Sequence, residues 1–358
     1  MLEPNWLDSA YAQAVSRLQQ LIAIPSFSKE EQSVVTLFES WMKEDGIIFL
    51  REGNNLIATT FNGTSTKPTI LLNSHTDTVK PNAGYTRNPF DASIEEHKLF
   101  GLGSNDAGGA LICLYTVFKE LYRQNDLPFN IIFAATAEEE ISGTNGIESI
   151  LPKLGNIDLA IVGEPTLMHL AIAEKGLLVI DCVAHGKAGH AARKEGNNAI
   201  YNALKDISWF ESYSFPKISE TLGEVNMSVT MMHAGTQHNV IPAECFFTVD
   251  IRCTDAYTHE ELLVIIKHHV HCEVTPRSLR LRPSGIPATH PVVRAGLQLG
   301  RQIYGSPTSS DQALIPFPSV KIGPGDSARS HQADEFIYLD ELKEGILIYH
   351  QLLTTLQL

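Results

Sequence analysis

The sequence predicts an α/β protein: a central mixed sheet flanked by helices, interrupted by an inserted α+β sandwich. Three observations carry this. First, the apolar runs at Thr69–Leu72, Phe129–Thr136 and Asp158–Val162 have the length and continuity of buried strands, and helical stretches separate them. Second, each run stops abruptly at a histidine or an acid, as strands do when their carboxyl ends deliver ligands. Third, after about Lys175 the pattern changes to strand–helix–strand–strand–helix–strand over roughly 110 residues, the size of a small self-contained domain. The expected division is 1–174 and 285–358 for the outer domain and 175–284 for the insertion.

In chain order, Trp6, Leu7, Ala10, Ala14, Leu18, Leu21 and Ile22 recur at helical spacing until Pro25. Ser28-Lys29-Glu30-Glu31 has the form of a capping box, predicting a second helix to about Lys43. Strands are expected at Ile47–Leu50 and Leu56–Phe61, with a turn at Asn62-Gly63. The next strand runs into Ser74-His75-Thr76-Asp77, where Asp77 is positioned to orient the His75 imidazole. A loop-rich stretch ends at Gly103-Ser104-Asn105-Asp106, and a helix is expected from Ala110 to Tyr122. Asp106 fits a plain N-cap as well as a ligand. Glu138-Glu139-Glu140 follows the second buried strand, and Glu164 the third. An acidic first helical turn accounts for one or two of the three glutamates better than for all of them. In the insertion, strands are expected at Gly176–His185, Val225–Met232, Cys245–Arg252 and Val274–Leu281, with helices at Asn198–Trp209 and Thr258–Val270. A helix at Pro291–Tyr304, a strand at Val320–Ile322, a glycine-rich loop reaching His331 and a helix at Leu339–Leu356 complete the chain.

Composition bounds the function. The formal charge is 27 − 41 = −14, which argues against nucleic acid or an anionic membrane as partner. No apolar run approaches membrane-spanning length, and residues 1–6 lack the pattern of a secretion signal. Five cysteines without a CxxC are expected to be buried reduced thiols, which points to the cytoplasm. No dinucleotide fingerprint is present, because no strand directly precedes Gly101-Leu102-Gly103 and the third glycine is misplaced.

His75, Asp106, Glu139, Glu140 and Glu164 thus fall at strand exits or a helix start, and His331 on a loop after another strand. Two histidines and several carboxylates without cysteine suit zinc or a similar divalent ion. If Asp106, Glu140 and Glu164 are ligands, their three charges with one hydroxide balance two Zn²⁺, so two ions about 3.5–4 Å apart are expected. Asp106, at a helix start, is the expected bridge. Glu139, beside a ligand, is the expected general base that carries a proton to the leaving nitrogen.

Five ordered motifs resemble those of the co-catalytic di-zinc amidohydrolases that include acetylornithine deacetylase, succinyl-diaminopimelate desuccinylase and carboxypeptidase G-type peptidases. They are Ser74-His75-Thr76-Asp77-Thr78-Val79; Gly101 to Asp106 with Gly109; Thr136-Ala137-Glu138-Glu139-Glu140; Gly163-Glu164-Pro165-Thr166; and Gly323-Pro324-Gly325 through His331. Glu138 departs from the family's usual aspartate. The resemblance implies a zinc-aminopeptidase-like catalytic domain with an inserted lid and dimerisation domain. It implies two Zn²⁺, with Co²⁺ able to substitute: His75 and Glu164 on one ion, Glu140 and His331 on the other, Asp106 bridging. It also implies that His190 steadies the oxyanion in the opposite subunit of a homodimer, and that Asn239 and Arg252 lie in segments holding the substrate carboxylate. The expected substrate is a small N-acyl amino acid, N-acetylornithine or N-succinylornithine, as in arginine biosynthesis, with a metallo-exopeptidase as the alternative. A non-catalytic dimeric scaffold would have lost a ligand or the base, and none is lost.

Overall fold

The computed structural model describes residues 5–61, 65–124, 126–193 and 195–358. The expected turn at Asn62-Gly63 lies outside these residues. The chain divides into two compact units: residues 1–172, 285–304 and 310–358, and residues 173–284 with 305–309.

The first unit is built on a mixed sheet, as the apolar runs predict. Its four middle strands, Asn130–Thr136, Thr69–His75, Leu159–Val162 and Ser319–Lys321, are parallel neighbours in that order. The hairpin Phe49–Glu52 and Asn55–Thr59 adds antiparallel strands beside Asn130–Thr136, and Leu170–Glu174 runs antiparallel beyond Ser319–Lys321. Every residue of Thr69–His75 and of Asn130–Thr136 is buried, which is why these strands are continuous apolar runs rather than alternating ones. Helices Trp6–Ile22, Gly109–Leu121 and Leu339–Thr355 pack on one another, and with Gln32–Glu44 they supply the larger core, which includes Leu18, Phe38, Leu111, Tyr115, Phe133 and Tyr349. A smaller core gathers Ile57, Leu71, Ile132, Ile147 and Val162.

The second unit is an antiparallel sheet in the order Asn226–Ala234, Glu244–Cys253, Gly176–His185, Glu273–Pro276. Helices Ala199–Ser212 and His259–His269 pack on it around a core that includes Leu178, Ile180, Phe210, Phe247 and Leu262. The burial of Gly176–His185 alternates residue by residue, the mark of a sheet with one covered face. The helix His259–His269 opens with a true capping box, Thr258 with Glu261.

Two local expectations are corrected. The Ser28–Glu31 capping box does not form. The helix Gln32–Glu44 has Glu31 at its N-cap without a side-chain cap, because tertiary partners claim both residues. Ser28 Oγ donates to Asp77 Oδ2 at 2.7 Å, while Glu31 accepts from the amides of Lys29 and Glu138 and from the Asn54 side chain. The helix begun at Pro291 ends at Gln298 rather than Tyr304. There Gly300 takes φ +76° and the amide of Arg301 donates to Gly296, a Schellman ending that frees Ile303–Ser306 to form a strand.

All five cysteines are free and buried. Among the described residues, no helix is long and apolar enough to cross a membrane.

Candidate metal centre

Parallel pairing brings the strand exits to one edge. His75 is paired with Thr136, and Asn73 with Val162, so Gly163 and Glu164 leave their strand alongside Ser74 and His75. The junction is fixed by Gly163 N–H donating to the Asn73 carbonyl at 2.7 Å and Ser74 Oγ donating to the Gly163 carbonyl at 2.8 Å. A side chain at Gly163 would start 2.6 Å from Leu114 Cδ1, so glycine lets the helix pack directly behind Glu164.

His75 Nδ1 lies 2.8 Å from the main-chain carbonyl of Asp77. A carbonyl only accepts, so Nδ1 carries a proton and Nε2 is the nitrogen that faces the centre. Asp77 therefore orients His75 through its backbone; its carboxylate is 3.6 Å from Nδ1. That carboxylate instead accepts from the amides of Glu139 and Glu140 at 3.0 and 3.2 Å. It holds the short turn Glu139–Ile141, which is flanked by left-handed Glu138 and Ser142. Glu138 bonds the Asn145 side chain at 2.8 Å, so of the three consecutive acids only Glu139 and Glu140 join the centre.

Asp106 sits in a tight turn, Ser104–Gly108, ahead of the helix Gly109–Leu121. Its Oδ1 is 3.4 Å from His75 Nε2 and its Oδ2 is 3.6 Å from His331 Nε2, so one carboxylate spans the two histidines. His75 Nε2 is also 3.6 Å from Glu164 Oε1 and 3.8 Å from Glu139 Oε2. His331, at φ +60°, is 2.9 Å from Glu140 Oε2. Two groups, His75–Asp106–Glu140 and His75–Glu139–Glu164, have potential ligand atoms all within 4.8 Å of one another.

The electrostatics follow from burial. Burial pushes Glu139 well above the usual carboxylate range, raises Glu140, and takes Glu164 to about 8. Burial alone would lower His75, but Glu139, Asp106, Glu164 and Asp77 outweigh it and raise the imidazole well above its ordinary value. The hydrogen bond that His331 donates to the Glu140 carboxylate lifts the imidazole to about 9. Burial opposes ionisation of Asp106, yet the adjacent His75 and His331 imidazoles keep it below the usual range. Such a cluster is a poor place for bare charge and a good one for a divalent cation. His75 Nε2 and Glu164 Oε1 are buried without hydrogen-bond partners, and both face the centre. Imidazole and carboxylate donors with two orphaned ligand atoms fit zinc or a similar ion.

Further residues support the centre without having been expected from the sequence. The buried Glu335 carboxylate accepts from the amides of Gly103, Asn105 and Asp106 at 3.0, 2.8 and 2.9 Å. Buried Asp311, raised to about 6 by burial, accepts from Thr136 Oγ1 at 2.8 Å. Asp311 opens the short turn Asp311–Leu314 and Glu335 precedes the strand Phe336–Tyr338; neither follows a buried apolar strand, the signal that exposed His75, Glu139 and Glu164, and only their contacts identify them.

The remaining expected residues belong to the second unit. His190 pairs with Val240 in a short antiparallel bridge, and its Nδ1 accepts from Ala192 N–H at 3.2 Å. Asn239 accepts from the amide of Ala191 through its main-chain carbonyl. Arg252 forms a two-point ion pair with Asp250, at 2.8 and 3.1 Å.

Comparison with known proteins adds four findings. A family model for peptidase family M20/M25/M40 matches residues 71–355. The chain is 28% identical over 359 residues to an acetylornithine deacetylase of Photorhabdus laumondii, covering 90% of this chain and 92% of that one. It is 26% identical over 368 residues to a succinyl-diaminopimelate desuccinylase of Stenotrophomonas maltophilia, covering 94% and 97%. Among solved structures, a tripeptidase of Staphylococcus aureus superposes with a TM-score of 0.78 at 21% identity, over 96% of this chain and 97% of that one.

Proposed function

Because the chain belongs to peptidase family M20/M25/M40, and is thus a metal-dependent hydrolase of amide or peptide bonds, we propose that it removes the acyl group from an N-acyl amino acid of the acetylornithine or succinylornithine type. The observation that carries this reading is a cluster of imidazole and carboxylate side chains spaced to hold metal, in a chain that aligns over nine-tenths of its length with proteins named for deacylation.

In this reading His75 and Glu164 would hold one Zn²⁺, Glu140 and His331 would hold the other, and Asp106 would serve both. The opposed directions of its two oxygens support the last assignment. Bound there, the ions would supply Lewis acidity toward the scissile carbonyl and a reacting water. Glu139 takes the proton of the attacking water and passes it to the leaving nitrogen. Its raised proton affinity, caused by burial, suits that exchange. Asp77 fixes both the His75 ring and the Glu139 amide, so base and ligand share one support. The five free buried cysteines support a reducing, cytoplasmic setting.

The test is a substrate panel on metal-loaded protein. Hydrolysis of N-acetyl- or N-succinylornithine, abolished by a chelator and restored by Zn²⁺ or Co²⁺, is the expected outcome. Hydrolysis confined to di- or tripeptides would make the protein an exopeptidase instead.

The second unit is proposed to form a homodimer. Tyr201 and Leu204 on the helix Ala199–Ser212, and Met231 and Met232 on the edge strand, are large apolar side chains open to solvent. His190 is then the residue given to the opposite subunit to steady the oxyanion, with Asn239 and Arg252 on the substrate carboxylate. His190→Ala is expected to lower kcat by roughly 10²–10³-fold. Mixed dimers with His190→Ala in one subunit and Glu139→Gln in the other keep one intact site if His190 acts across the dimer. Partial rescue of activity is expected; absence of rescue would refute sharing.

A further inference from the structure

Next to the metal centre, within the same unit, lies a cavity of about 170 Å³. Val79, Lys80, Tyr85, Leu102, His331 and Gln332 line it, with Asn82 beside them. His331 is the shared wall, because its Nε2 lies against Glu140 of the centre. The cavity differs from its surroundings in three ways. No aspartate or glutamate lines it, although the adjoining centre is crowded with carboxylates and the chain carries a net −14. Lys80 is exposed and forms no ion pair with a described carboxylate; its ammonium lies 5.8 Å from the centre of the Phe27 ring. The Tyr85 hydroxyl is buried and donates to no acceptor among the described residues, an arrangement that costs free energy unless a ligand supplies one.

We propose that this cavity is the acyl subsite and takes an acyl chain ending in a carboxylate, of the succinyl type, with Lys80 as the counter-charge and the Tyr85 hydroxyl as a hydrogen-bond donor. The inference rests on the deacylase reading above and deepens it. Size agrees with chemistry. At roughly 30 Å³ for each water-sized group, the cavity has room for about five or six. A –CH₂CH₂COO⁻ arm has five non-hydrogen atoms. The single methyl of an acetyl group leaves most of the space, and both polar groups, to solvent. A site built around a donor pair discriminates strongly against a substrate that lacks the matching acceptor. The same donors could instead hold the α-carboxylate that both acyl-ornithines share, and the two cases separate cleanly in kinetics.

The experiment measures kcat/KM for N-succinylornithine and N-acetylornithine with metal-loaded wild type, Lys80→Met and Tyr85→Phe. Wild type is expected to prefer the succinyl substrate. Lys80→Met is expected to reduce the succinyl-to-acetyl ratio by roughly 30–100-fold, the scale of a charge-assisted hydrogen bond, and Tyr85→Phe by roughly 5–10-fold. Lys80 is exposed, so its replacement leaves the core intact. An unchanged ratio, or equal loss on both substrates, overturns the assignment; equal loss would mean that the α-carboxylate binds there. Calorimetric binding of the two compounds to metal-loaded Glu139→Gln protein, with and without Lys80→Met, separates this inference from the reaction itself. If neither compound is hydrolysed by wild type, the deacylase reading fails. Tighter succinyl binding that Lys80→Met abolishes would still sustain the subsite, and equal binding of both compounds would overturn it.

Discussion

Glu139→Gln is expected to bind two equivalents of zinc and to lose roughly 10²–10⁴-fold in kcat, the usual weight of a general base. Glutamine preserves the shape of the side chain and the amide that donates to Asp77. It removes only the ability to accept and return a proton. Metal content by elemental analysis, alongside turnover, checks both halves. Normal turnover would refute the base assignment. Loss of one zinc would make Glu139 a ligand, an outcome its 3.8 Å approach to His75 makes worth measuring.

Glu335→Ala is expected to weaken metal binding by roughly 10–100-fold and to lower activity in step, although Glu335 belongs to neither candidate ligand group. Its carboxylate holds three amides of the turn that aims Asp106 at both histidines. Without it those amides are stranded, at about 1–3 kcal/mol for each buried donor left unpaired. Glutamine is a poor substitute, since its NH₂ would face an N–H. Aspartate keeps the charge and should rescue part of the affinity. Competition titration of zinc against a chelator provides the reading, and unchanged affinity in Glu335→Ala would sink the positioning role.

These two residues mark the limits of what could be read along the chain. Glu139 was legible because it follows an apolar run that can only be a buried strand, and burial forces an acid there to have a purpose. The same logic exposed His75 and Glu164. The parallel sheet and the inserted sandwich were legible for a related reason: continuous and alternating burial leave different periodicities, as in Thr69–His75 and Gly176–His185. Glu335 was not legible, because its partners lie more than two hundred residues away and nothing local distinguishes it from the neighbouring Asp334. Ser28 and Glu31 misled for the opposite reason. Their local spacing promises a cap worth about 1 kcal/mol, and contacts to Asp77 and Glu138 outcompete it. The early end of the helix at Gln298 had a local sign in Gly300, which the apolar spacing around it obscured.

The strand Ser319–Lys321 slots between Leu159–Val162 and Leu170–Glu174, both of which are translated before the bulk of the second unit. During synthesis those two strands must wait for their common neighbour with apolar edges unpaired, the condition in which nascent sheets aggregate or mispair. The second unit has its own core and an antiparallel sheet, so it can organise during the wait. His331 and Glu335 emerge later still. The candidate metal centre is therefore completed late in synthesis, and a nascent chain halted before residue 319 would hold His75, Asp106, Glu140 and Glu164 without the strand that completes their sheet.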